Sequence, residues 1–161
     1  MTLPISEQTV IVTGAARGLG AAIARAFARE GAKVAINYRN SREQAEALAK
    51  SLGERAHSFQ ADIRDGAAVS ELVADVTRRL GPPTTVVHNA LADFSFNGDA
   101  RPKLGELSWE EITAQLDTAV KGALNLIQAT RPAMAAAGFG RMVTIGTNLF
   151  QNPVVPYHDY T

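Results

Sequence analysis

The sequence contains no cysteine, which excludes disulfides, zinc–thiolate sites and a thiol nucleophile and fits a reducing compartment. An excess of charge is also missing: sixteen Lys and Arg balance sixteen Asp and Glu. No net field therefore draws the chain to nucleic acid or to an anionic membrane, and neither is an expected partner. Long apolar runs are lacking too. The opening "MTLPISEQ" has no basic leader region, the apolar stretch after it is broken at Arg17, and no run approaches the length of a membrane span. The expected compartment is the cytoplasm. Histidine is scarce, and the three present form no metal pattern; His88 has no second ligand-type residue at useful spacing and reads as a satisfied strand residue.

What the chain does have is a regular alternation of short apolar runs and longer helical patterns. "TVIVTG" (Thr9 to Gly14) and "KVAINY" (Lys33 to Tyr38) are of strand length. Between them Leu19, Ala22, Ile23, Ala26 and Phe27 share one helical face, and Gly31 stops the helix. A second helix opens on a Ser41 to Gln44 capping box and closes at Gly53, and "AHSFQAD" supplies the third strand. Val69, Leu72, Val73, Val76 and Leu80 keep helical spacing from Asp65 to Gly81, ahead of a β-branched fourth strand, "TTVVHNA". A long aperiodic stretch follows, of the kind that is often functional. A Ser108 to Glu111 capping box then introduces a long helix, with a kink expected at Pro132, and "RMVTIG" is the fifth strand.

Strands buried on both faces and joined by helices predict an α/β doubly wound parallel sheet with right-handed crossovers, in the order 3-2-1-4-5. With 46% hydrophobic residues and no linker, the expectation is one domain over residues 1–161. After the fifth strand only "TNLFQNPVVPYHDYT" remains, too short to cross the sheet and add another strand. The fifth strand is expected as an open edge of a C-terminally incomplete domain.

"TGAARGLG" (Thr13 to Gly20) lies between the first strand and the first helix. Gly14 permits a tight turn, Gly18 lets backbone approach a ligand, and the amides opening the helix face an arriving anion. Gly14, Ala16, Arg17, Gly18, Leu19 and Gly20 are thus candidate contacts for a dinucleotide pyrophosphate. No Gly-Lys-Ser/Thr follows at P-loop spacing, which excludes that alternative.

The spacing T-G-x-x-x-G-x-G resembles that of the short-chain dehydrogenase/reductase family, in particular its 3-oxoacyl-carrier-protein-reductase-like members. "ADIRD" after the third strand is similar to the family's adenine-contacting segment, with Asp62 toward the base and the Ile63 backbone beside it. "HNAL" stands where the family usually has Asn-Asn-Ala-Gly, which implies cofactor contacts at Asn89 and Ala90. Thr147 followed thirteen residues later by Tyr160 resembles the family's hydroxyl-then-tyrosine pair. The resemblance implies a nicotinamide cofactor delivering hydride to a carbonyl carbon while Tyr160 protonates its oxygen and Thr147 holds it. The lysine of the family's Tyr-x-x-x-Lys motif would fall three residues beyond Thr161, so "PYHDYT" is expected to begin the helix that carries it. Ala119 stands where the family usually has asparagine, and Leu91 where it usually has glycine.

Cofactor choice follows from charge. NAD-preferring folds of this type end the second strand on an acid that holds the ribose hydroxyls. Here the stretch is "NYRN". Arg39 and Arg17 could bracket a 2′-phosphate, a group that guanidinium suits by its fork geometry, so NADP is expected over NAD. The same residues admit plainer roles: Asn89 as a brace of the strand end, Thr147 as a strand-end hydroxyl, Tyr157 as packing, and both arginines as solvated charges. The leading expectation is the cofactor-binding portion of an NADP-dependent oxidoreductase acting on a small carbonyl or alcohol, with a homo-oligomeric full-length relative. A non-catalytic nucleotide-binding or regulatory module of the same fold is the alternative, and a sugar-nucleotide epimerase is disfavoured by the glycine spacing.

Overall fold

In the computed structural model of the chain, residues 2–92 and 102–152 are described. Five strands form one sheet in the order β3-β2-β1-β4-β5: β1 (Thr9–Val12), β2 (Lys33–Tyr38), β3 (Ala56–Gln60), β4 (Thr85–His88) and β5 (Arg141–Thr144). Every neighbouring pair is parallel, with Ile11 opposite Ala35 and Val86, and Thr85 opposite Arg141. β1 and β4 are buried at every position, and β2 at all but its first, because helices cover both faces of the sheet.

Alternate strand residues sort onto the two faces. Val10, Val12, Val34 and Ile36 pack with Ala21, Ala24, Ala45 and Leu48, from helices α1 (Gly18–Arg29) and α2 (Arg42–Leu52). Ile11, Ala35 and Val86 pack with Val69, Leu72 and Val76 of α3 (Gly66–Leu80) and with Leu126 of α5 (Gly122–Ala136). Between α3 and α5 the chain also forms α4 (Trp109–Leu116), which carries the expected capping box: Ser108 accepts from the Glu111 amide and Glu111 accepts from the Ser108 amide.

Two local expectations need correction. Ser41 is the N-cap of α2 but makes no capping bond, because its ψ of 60° lies outside the extended region from which a cap side chain reaches the third amide. The inward face of α1 is Gly20, Ala21 and Ala24, flanked by Ile23, Phe27 and Ala28, while Leu19 and Ala22 are exposed. Small residues win that face because α1 is drawn against the sheet by its first turn. The long helical region also contains a π segment at Asp117–Lys121, in which the Gly122 amide reaches the Asp117 carbonyl, and Pro132, where a kink is expected, lies within α5.

Among the described residues β5 is paired on one side only and is mostly exposed, as expected for an open edge.

Candidate functional site

A cleft of about 670 Å³ opens at the carboxyl ends of the strands, where the strand order reverses between β1 and β4. Such a crevice is where doubly wound sheets bind ligands. It is lined by Gly14 and residues 16–20 after β1, 37–41 at and beyond the end of β2, 61–64 after β3, 89–92 after β4, 145–148 after β5, and Thr118. All the candidate cofactor residues therefore border one cavity, and Thr147 borders it too.

The β1–α1 turn is shaped by what its glycines lack. Gly14 and Gly18 have φ of 62° and 57°, a region that side chains disfavour. A Cβ on Gly14 would stand 2.9 Å from the Ala90 Cα, and one on Gly20 would stand 2.5 Å from the Gly14 carbonyl oxygen and 2.6 Å from the Asn89 amide nitrogen. Gly14 and Gly20 thus permit the close packing of turn, helix and β4. At Gly18 the absent Cβ faces open space, so it is there that backbone is left bare toward the cleft. Arg17 is the N-cap of α1, extended and exposed, and its side chain caps none of the helix amides. Those amides keep their donors for an anion.

Two buried polar residues hold this turn, and the sequence reading assigned them no role. The Thr13 hydroxyl oxygen accepts from the amides of Asn89 and Ala90, each at 3.0 Å, pinning the end of β4 to the end of β1. Asn37 donates to the Ala61 carbonyl at 3.1 Å, while its own carbonyl accepts from the Ala15 amide at 2.9 Å. Their only sequence signal is position, one at the last residue before the glycine turn and the other a polar residue inside an apolar strand. Asn89 serves as a brace: its side-chain amide donates to the carbonyls of Thr13 and Gly14.

At the β3 side, the Arg64 guanidinium grips Asp62, with contacts of 3.0 and 3.1 Å from Nε and 2.6 Å from Nη2. The Arg64 amide adds a further bond at 3.0 Å. These bonds hold the Asp62 carboxyl below its ordinary pKa against the opposing effect of burial, and the charge of Arg39 acts in the same direction. Arg39 borders the cleft beside this turn.

His88 is buried, with Nε2 donating to the Ala119 carbonyl in the π segment at 3.1 Å and Nδ1 3.5 Å from the Thr13 hydroxyl. Burial pushes its pKa below the ordinary imidazole value, more than the Ala119 and Thr118 carbonyls raise it. A buried neutral ring held through Nε2 suits a structural strand residue. Among the described residues no group of acids and histidines could hold a metal ion, and no helix is long and apolar enough to cross a membrane.

Thr147 starts a 3₁₀ turn, Asn148–Phe150, and its oxygen accepts from the Leu149 amide at 3.2 Å, which leaves the O–H proton to donate elsewhere. Leu91, more than half exposed, lines the same cavity. Tyr157 and Tyr160 lie outside the described residues.

The sequence pattern described as short chain dehydrogenase matches residues 8–161. The chain belongs to the short-chain dehydrogenase family. Within that family it is 31% identical to a 3-oxoacyl-[acyl-carrier-protein] reductase of Staphylococcus epidermidis over 142 residues, covering 86% of this chain and 56% of the relative. It is 34% identical to a 2,3-dihydro-2,3-dihydroxybenzoate dehydrogenase of Bacillus subtilis, covering 89% of this chain and 54% of that one. This short-chain dehydrogenase chain thus spans about half the length of these curated relatives. Among solved structures, a blue fluorescent protein from a metagenomic library in complex with NADPH matches with a TM-score of 0.78 at 31% identity, covering 92% of this chain and 59% of that one. The fold also matches a 3-ketoacyl-(acyl-carrier-protein) reductase from Brucella melitensis complexed with NADH, with a TM-score of 0.86 at 24% identity, covering 97% of this chain and 64% of that one.

Proposed function

We propose that this chain is the cofactor-binding portion of an NADP-dependent carbonyl reductase, acting on a 3-oxoacyl thioester or a related ketone. The observation that carries the reading is the cleft itself: bare Gly18 backbone, uncapped amides of α1 and the cations Arg17 and Arg39 border one cavity at the switch point of the sheet. Two anionic groups find complementary surfaces there, the pyrophosphate at the α1 amides and a 2′-phosphate at the arginines. No acid ends β2 to hold an unphosphorylated ribose, which supports NADP over NAD. Asp62 and the Ile63 backbone receive the adenine, and Asn89 and Ala90 support the nicotinamide side.

When bound, the nicotinamide cofactor supplies the hydride. The chain's own contribution is placement and proton supply: Thr147 holds the substrate oxygen with its free O–H proton, and Tyr160 gives that oxygen its proton. A tyrosine is poorly matched to neutral-pH proton exchange unless a nearby cation favours its anion, because its ordinary pKa is about 10. In this reading the cation is a lysine four positions after Tyr160, in a longer chain. The residues form one dinucleotide-binding domain of a cytoplasmic protein that self-associates at full length.

The test is turnover. The 161-residue chain should show no measurable NADPH oxidation with a panel of 3-oxoacyl thioesters, quinones and simple ketones. A protein extended through the natural downstream coding sequence should be active and lose that activity in Tyr160→Phe. Activity that survives Tyr160→Phe would overturn the proposed proton donor. The second reading, a non-catalytic nucleotide-binding module, draws support from Ala119 in place of a relay asparagine and from Leu91 beside the cleft. It predicts nucleotide binding without turnover in the extended protein.

A further inference from the structure

α5 is not part of the cleft lining, yet it meets the turn that follows β3 through Asn125 and Gly122. The Asn125 side-chain amide donates to the Ile63 carbonyl at 2.9 Å, across sixty-two positions of sequence. One helical turn earlier, Gly122 leaves room for the Ile63 side chain: a Cβ there would stand 2.7 Å from Ile63 Cδ1 and 3.1 Å from Cγ1. The Asn125 side-chain oxygen lies 3.4 Å from where a Cβ of Gly66 would be, at the first residue of α3. Within the turn, the Asp65 amide donates to the Asp62 carbonyl, the Asp65 carboxylate caps α3, and Arg64 grips the Asp62 carboxylate. Internal bonds therefore set the shape of the turn, and α5 sets where that shape sits.

We infer that Asn125 is a positioning residue for base recognition: through the Ile63 carbonyl it fixes the 62–65 turn at the depth where Asp62 and the Ile63 backbone meet the purine edge. The inference rests on the adenine end of the proposed cofactor site lying at this turn. A hydrogen bond to a peptide carbonyl sets the rotation of that peptide unit, so the amide of the next residue and the carboxylate beside it move if the bond is lost. Phosphate contacts lie elsewhere, on the β1–α1 turn and at Arg39. Loss of the Asn125 bond should therefore act on recognition of the base and spare most of the phosphate-driven affinity.

The experiment compares NADPH with its hypoxanthine analogue, which lacks the 6-amino group and keeps every phosphate, by titration of the 161-residue chain. The unaltered chain should prefer the adenine form. Asn125→Leu, similar in size but without a donor, should lower that preference by about three- to tenfold, the worth of one net hydrogen bond. Gly122→Ala should also lower it by displacing Ile63, although alanine raises helix propensity and so keeps the helix formed. Leu126→Ala, a core truncation on the same helix, should reduce stability and leave the preference unchanged. An unchanged preference in Asn125→Leu and Gly122→Ala would overturn the inference alone. Failure of the unaltered, folded chain to bind either nucleotide would overturn the cofactor reading with it.

Discussion

At the residue scale, the site depends on groups that are absent as much as on groups that are present. Gly20 is the clearest case, since its missing Cβ leaves the space occupied by the Gly14 carbonyl and the Asn89 amide. Gly20→Ala should therefore destabilise the chain by about 1–3 kcal/mol, the usual range for overpacking, as measured by urea denaturation. Gly18→Ala has open space for its Cβ, so its cost should be confined to the strain of its positive φ and to nucleotide binding. His88 offers a test by pH. Its folded pKa lies below the ordinary 6.5, so the neutral ring's stability is intact above that value and is lost as pH falls through 6.5 toward the folded pKa. The corresponding window for Asp62 opens only below about 3.8. Denaturation midpoints between pH 6.5 and 5 should fall more steeply for the unaltered chain than for His88→Asn; parallel curves would refute burial of a neutral imidazole.

Arg39 is the residue proposed to set the cofactor preference. A charged hydrogen bond is worth about 1.5 to 3 kcal/mol, so Arg39→Ala should weaken NADPH about tenfold to hundredfold and leave NADH nearly unchanged. Equal losses for both would remove the 2′-phosphate assignment.

At the scale of elements, the strands and the sheet order were legible because a parallel sheet covered on both faces leaves continuous β-branched runs such as "TVIV" and "TVVH", which periodicity detects. The α3 face was legible for the same reason, being built of large apolar residues. The α1 face was not, because it packs through glycine and alanine, which carry little hydrophobic signal, while Leu19 turns toward the cleft. The Ser41 cap failed on backbone geometry that residue type does not encode. Cleft-lining residues could be picked from the glycine turn and the strand ends, whereas Thr13, Asn37 and Asn125 act through long-range hydrogen bonds that only the folded chain brings together. β5 yields the prediction at this scale. An edge unpaired among the described residues, with Val143 exposed, recruits other chains, so sedimentation of the 161-residue polypeptide should show concentration-dependent association that Val143→Lys reduces. Association unchanged by that substitution would point instead to the exposed Leu116, Val120, Leu124 and Ile127 of the α4–α5 region.

At the scale of the whole molecule, the chain combines a closed half and an open half. The β3-β2-β1-β4 portion is covered on both faces and frames the cleft, while β5, the last strand of the sheet among the described residues, is mostly exposed. The parts of the cleft proposed to face the phosphates come from the β1–α1 turn and the end of β2. The most direct test of the account is a fluorescence titration of the folded 161-residue chain with NADPH and with NADH, each repeated with adenosine 2′,5′-bisphosphate as competitor. The account predicts saturable NADPH binding, tighter than that of NADH and displaced by the bisphosphate. Saturable binding of neither cofactor, or equal affinity for both with no displacement, would contradict it.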